Sequence, residues 1–157
     1  MYRSIFFLSA ILIVGSCTPM VFNSPKPTVR KNLKQYGKKL NLKTILEETD
    51  STLILKVRDV KLQPIDFIYQ YDKLNRWYST TVEATCDSCF KKQITWDLNT
   101  KKMEWTKVNS TQYVSKSSQK LILETNPEKP FSYTIRRSNL NRIQYKKLMA
   151  GQQAGVK

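Results

Sequence analysis

Cys86-Asp87-Ser88-Cys89 concentrates more possible chemistry than any other local grouping in this 157-residue chain. Two thiols separated by two residues can ligate a metal, carry a haem, cycle as a dithiol and disulfide, or close a turn. Haem attachment calls for histidine directly after the second cysteine, and Phe90 stands there. A zinc site needs two further nitrogen or sulfur ligands, yet the chain has no histidine and its one other cysteine is Cys17. No metal and no cofactor is therefore expected. Two readings of the pair remain. A redox motif needs the leading thiol at the start of a helix, where its pKa falls. The flanks instead read as strands, over Thr80 to Thr85 and Phe90 to Trp96, with Asp87 and Ser88 as the tip of a hairpin. Residues opposed across such a hairpin lie ~4.5–5.5 Å apart, within disulfide range. The same register places Glu83 across from Lys92. A structural disulfide formed in an oxidising compartment is the expectation, and a thiol-disulfide redox protein is the alternative.

Other catalytic arrangements are largely excluded. The absence of histidine removes Ser-His-Asp and Cys-His dyads and the commonest general base. No glycine falls between Lys38 and Ala150, which rules out glycine-rich phosphate loops there. Glu47, Glu48 and Asp50 cluster, but three acids just before a strand read as a solvated turn. The balance is against an enzyme. Trp77 and Tyr78 fall after a turn on opposite faces and are the candidate binding aromatics. The other aromatics sit at strand spacing and read as core.

The elements that must hold these residues are mostly strands. Leu53, Leu55 and Val57 alternate with mixed residues, as in a half-buried strand. Ile65, Phe67, Tyr69 and Tyr71 repeat the pattern, as do Phe90, Ile94 and Trp96, then Met103 and Trp105, Leu121 and Leu123, and Phe131, Tyr133 and Ile135. Turn clusters separate them at Asp72 to Asn75, Asp87-Ser88, Asp97 to Thr100 and Asn126 to Pro130. The expected fold is mainly all-β: an antiparallel meander of about seven strands, forming a curved sheet, a sandwich or a small barrel. A short C-terminal helix, capped by Ser138, presents Leu140, Ile143 and Leu148 on one face and stops at Gly151. A small barrel would also suit a carrier of a hydrophobic ligand.

The 27 Lys and Arg against 12 Asp and Glu give a formal charge of +15. Lys26, Arg30, Lys31, Lys34, Lys38, Lys39 and Lys43 fall in one stretch without an acid. Such a stretch suits an anionic partner, a membrane headgroup layer or an envelope polymer. No nucleic-acid motif accompanies it. Near-helical spacing of Leu33, Tyr36, Leu40, Ile45 and Leu46 predicts a partly helical segment over 29–48, interrupted by Gly37.

The N-terminus assigns a location. Arg3 precedes the apolar run Ile5 to Val14, which is too short to span a bilayer and suits the hydrophobic region of an export signal. Val14-Gly15-Ser16-Cys17 resembles the lipobox of bacterial lipoproteins. The resemblance implies cleavage before Cys17, acylation of that cysteine and membrane anchoring. In that family an aspartate after the cysteine marks inner-membrane retention; Thr18 stands there, which implies the outer membrane or the periplasmic face. The expected organisation is a signal over 1–16, a basic membrane-proximal tether over 17–49, one β-rich domain over 50–150 and a tail over 151–157. The expected function is a lipid-anchored envelope module that binds or scaffolds a protein or polymer partner.

Overall fold

A computed structural model of the chain describes residues 21–58, 64–101 and 103–150. The signal, Cys17, Gly151 and the tail lie outside the described residues. The elements in chain order are α1 (Lys26–Leu40), β1 (Thr44–Glu48), β2 (Thr52–Val57), β3 (Ile65–Tyr71), β4 (Trp77–Ala84), α2 (Asp87–Leu98), β5 (Trp105–Lys107), β6 (Gln112–Ser115), β7 (Leu121–Thr125), β8 (Ser132–Arg137) and α3 (Arg142–Met149). The fold is mainly β. Its eight described strands make a single curved antiparallel sheet in the order β1-β2-β3-β4-β8-β7-β6-β5. β1 and β5 are its edges, so the sheet is neither a closed barrel nor a sandwich.

The order departs from a simple meander at one point. Because α2 follows β4, the chain cannot make a tight hairpin there, and β4 pairs instead with β8, from Ser79↔Arg136 to Glu83↔Ser132. The chain thus runs twice through a helix followed by four antiparallel strands, and the two runs meet along β4 and β8.

Alternation along the strands sends Leu53, Leu55, Val57, Phe67, Tyr69, Val82, Tyr133, Ile135, Leu121 and Leu123 to one face, where all are buried. Val29 and Leu33 of α1 complete this core, and Phe90, Ile94 and Leu98 of α2 pack against it. Both helices therefore cover the same face. Val114 and Ile122 project from the other face and pack with Tyr145, Leu140 and Leu148 around α3. The Tyr145 hydroxyl is shared between the carbonyls of Ser115 and Leu121, at 2.7 and 2.8 Å. α3 is capped by Asn141 in a reciprocal capping box with Gln144, not by Ser138. Its buried residue is Tyr145, while Ile143, expected on the inner face, is 69% exposed.

The basic segment is folded, and it divides differently from the sequence expectation. α1 begins at Lys26 and runs through Gly37, and Ile45 and Leu46 belong to β1. Gly37 permits the close approach: a Cβ there would lie 2.8 Å from the Thr44 hydroxyl oxygen. α1 ends at Asn41, whose positive φ lets the Leu42 N–H reach the Gly37 carbonyl.

Lys26 fastens the start of α1 to the β1–β2 turn. Its side chain is 9% exposed, and its ammonium donates to the carbonyls of Thr49 and Asp50 and pairs with Glu48 at 3.3 Å. A cation at a helix N-terminus opposes the helix dipole, and Pro25 supplies no side-chain cap. The Glu48 carboxylate and the two carbonyls offset the first of these, and the Asn75 carbonyl accepts the Lys26 backbone N–H at 3.0 Å. Replacing Lys26 by Met keeps the stem and strands these acceptors. The expected loss is about 1–3 kcal/mol of unfolding free energy, read as a lower urea midpoint at unchanged m-value; an unchanged midpoint would remove Lys26 as the fastening.

Candidate functional site

Cys86 and Cys89 form a disulfide with Cα atoms 5.2 Å apart. The hairpin expected to carry it is absent. Cys86 is the N-cap of α2, its sulfur accepting the Cys89 backbone N–H at 3.1 Å, and Asp87 in the first turn pairs with Lys91 at 2.7 Å. Phe90 to Trp96 is helix, and Phe90, Ile94 and Leu98 reach the core at helical spacing. Glu83 correspondingly meets Lys129 rather than Lys92. The two sulfurs differ in access. Cys86 is half-buried beside the Ser88 hydroxyl at 3.2 Å, whereas Cys89 is buried.

The other end of α2 holds a polar group with no signal in the sequence. Asp97, read there as part of a turn, is 1% exposed. Its Oδ2 accepts from the Tyr133 hydroxyl and from Gln93 at 3.4 Å, and its backbone carbonyl accepts from the Trp105 indole at 3.0 Å. Oδ1 has no hydrogen-bond partner, nor does the buried Tyr69 hydroxyl. Burial, only partly opposed by the Tyr133 and Gln93 hydrogen bonds, pushes the Asp97 carboxyl up to about 7. Burial likewise raises Tyr133 and Tyr69, with the Asp97 charge adding to both.

The sequence-flagged cations separate into two groups. Lys26 and Arg30 face Glu48, Arg30 at 2.6 Å. Lys31, Lys34, Lys38 and Lys39 are exposed and make no ion pair among the described residues. Lys31, Lys34 and Lys38 recur at three- and four-residue intervals and so share one face of α1, opposite Val29 and Leu33. Lys43 follows the helix and is also exposed. The acids read as one solvated turn are distributed: Glu47 pairs with Lys56 across β1 and β2, and Glu48 holds α1.

Trp77 lies in the core, stacked on Phe22 with centroids 4.2 Å apart, its indole N–H shared by the Ser79 carbonyl and Thr80 hydroxyl. Tyr78 is 45% exposed. Two clefts flank α1. At its N-terminus an open cleft of about 770 Å3 is bordered by Lys26, Arg30 and Lys73 and by Glu48, Asp50 and Asp72, charges that balance. Beside its C-terminal half a crevice of about 380 Å3 is lined by Leu33, Leu42, Leu46 and Leu55 and by Asn41 and Thr44, with Lys34 and Lys38 at its border. Among the described residues no three metal-ligating side chains cluster, and no helix is long and apolar enough to cross a membrane.

Comparison with family models, with curated proteins and with solved structures finds no match to this chain.

The buried carboxyl sets a pH dependence. Unfolding returns Asp97 to its ordinary value of 3.8, so between about 4 and 7 the unfolded chain releases a proton that the folded one keeps. Stability from this group therefore falls as pH rises through that window, by up to about 1.4 kcal/mol per pH unit. Asp97→Asn removes the slope. Its stability relative to the parent chain should grow between pH 4.5 and pH 7.5 in parallel urea titrations; a constant difference would show that Asp97 titrates normally.

Proposed function

We propose that this chain is an exported, lipid-anchored envelope protein whose folded body is a binding module seated on an anionic surface through α1. The observation that carries the reading is the exposed face of Lys31, Lys34, Lys38 and Lys39 on a helix with no acidic residue. A solvated lysine surface would tolerate interspersed acids; here the cations that have acidic partners, Lys26 and Arg30, are those turned towards the body. The lipobox-like Val14 to Cys17 supports the same arrangement, because Cys17 precedes the start of α1 by only nine residues. A lipid at that position holds α1 close to headgroups, where each cation near an anionic bilayer contributes about 1 kcal/mol. Two or more acyl chains would make the anchor itself stable. Binding or scaffolding, rather than catalysis, is the role of a body that lacks histidine and glycine-rich loops.

A second reading, a thiol-disulfide redox protein, gains from one observation. The sequence pattern after Cys89 reads as a strand, which disfavours a redox motif, but α2 begins at Asp87. A thiolate at Cys86 would face the positive end of α2, an environment that lowers a thiol pKa from ~8.5. Cys86 is also the more accessible sulfur.

The first reading is tested with vesicles of phosphatidylcholine alone and of phosphatidylcholine mixed with phosphatidylglycerol. The full chain should prefer the anionic vesicles, and the preference should weaken with salt. Lys31→Gln combined with Lys38→Gln should lower affinity for the anionic vesicles by up to about thirtyfold, at about 1 kcal/mol per lysine, and leave binding to neutral vesicles unchanged. Equal loss on both vesicle types, or none on either, would exclude the lysine face as the contact.

A further inference from the structure

The crevice beside the second half of α1 differs from the cleft at its start in both lining and charge. Leu33 and Leu55, nearly inaccessible, form its floor, and Leu42 and Leu46 its half-buried walls. Gly37 contributes no side chain, so the helix backbone itself forms part of the lining. Lys34 and Lys38, one helical turn apart and both exposed, border the opening, and no acidic residue lines it. A slot with four leucines, Asn41 and Thr44 in its lining and two cations at its border fits a molecule with an apolar tail and an anionic head. Its volume, about 380 Å3, lies at the low end of the ~300–1,000 Å3 typical of ligand sites, which suits one chain rather than two.

We propose that this crevice binds a single acyl chain with a carboxylate head, a long-chain fatty acid, its tail against Leu33, Leu42, Leu46 and Leu55 and its carboxylate between Lys34 and Lys38. The site is an open slot between a helix and a sheet edge, not the interior of a barrel. It deepens the reading of α1 as the face turned towards the membrane, and it rests on that reading in one respect, because Lys34 and Lys38 serve both. Tail burial supplies the affinity and the lysines the choice of head group.

The experiment is calorimetric titration of the full chain, without vesicles, with octanoate, decanoate, dodecanoate and dodecanol, each below its micelle or solubility limit. Each methylene that enters the crevice should tighten binding about fourfold, the equivalent of ~0.8 kcal/mol, until the slot is filled and the gain stops. Dodecanoate should bind about fivefold more tightly than dodecanol, the upper range of an exposed ion pair. Lys34→Gln combined with Lys38→Gln should abolish that preference and keep the chain-length dependence. Leu42→Trp, outside the main core, should abolish the chain-length dependence while the far-ultraviolet dichroism stays that of the parent. Affinity that ignores chain length, or that Leu42→Trp leaves intact, would overturn the site. A chain that prefers anionic vesicles yet takes up no free fatty acid would overturn it too while leaving the lysine face standing. Failure on anionic vesicles with intact fatty-acid binding would have the reverse meaning.

Discussion

The pairing of β4 with β8 is the constraint on which the rest depends. Among the described strands it is the one ladder joining the two four-stranded runs, and it fixes which face of each run points inward. Val82 and Tyr133 become neighbours, Thr80 and Ile135 likewise, and a single apolar face extends across the sheet. α1 and α2 must then cover the same side, since that is where each finds its apolar partners. Tyr133 is carried beneath α2 by the same register, which is how its hydroxyl comes to Asp97, 36 residues distant in sequence. The far face near β1 to β4 is left with paired charges, Lys56 with Glu47, Arg58 with Asp66 and Lys129 with Glu83.

Charge placement follows from this packing. α1 lays Val29 and Leu33 on the core, so its opposite face is committed outward, and it carries Lys31, Lys34 and Lys38 with Gln35. Fastening through Lys26 and Arg30 to Glu48 uses the cations nearest the body and leaves those farther round the helix to whatever the protein meets. The disulfide has a comparable local role at α2. Serine, threonine, aspartate and asparagine are the usual N-caps, and here the Cys86 sulfur takes that place.

Much of the sheet was legible because its alternation is unambiguous. Leu53, Leu55 and Val57 bury as the period of two requires, and so do Phe67, Tyr69 and Tyr71. The turn at Asp72 to Asn75 was readable from its chemistry: the Asp72 carboxylate accepts from the Leu74 and Arg76 N–H groups, and Asn75 takes a positive φ. α2 has the apolar pattern of a strand for an identifiable reason. Phe90, Ile94 and Leu98 are spaced by four, which satisfies the period of a strand as well as that of a helix, and Trp96 falls on the strand pattern. A cysteine cap gave no conventional start signal. β1 reads as helix in the sequence because Ile45 and Leu46 continue the helical spacing of α1, while the turn at Asn41 to Lys43 contains no proline or glycine. Lys26 and Asp97 left no local trace, since the partners that define them, Glu48 and Tyr133, arrive through tertiary contact. The spacing of Cys86 and Cys89 suffices for their pairing, but the backbone that pairs them is a helix start and not a hairpin.

The proposed anchor and the closed disulfide are tested most directly by the intact mass of native material from bacterial membranes, with and without thiol alkylation after denaturation. The expected species begins at Cys17, carries the mass of a diacylglyceryl group and takes up no alkyl group at Cys86 or Cys89. An unacylated species that still contains residues 1–16 would contradict the anchor, and uptake of two alkyl groups would contradict the closed disulfide.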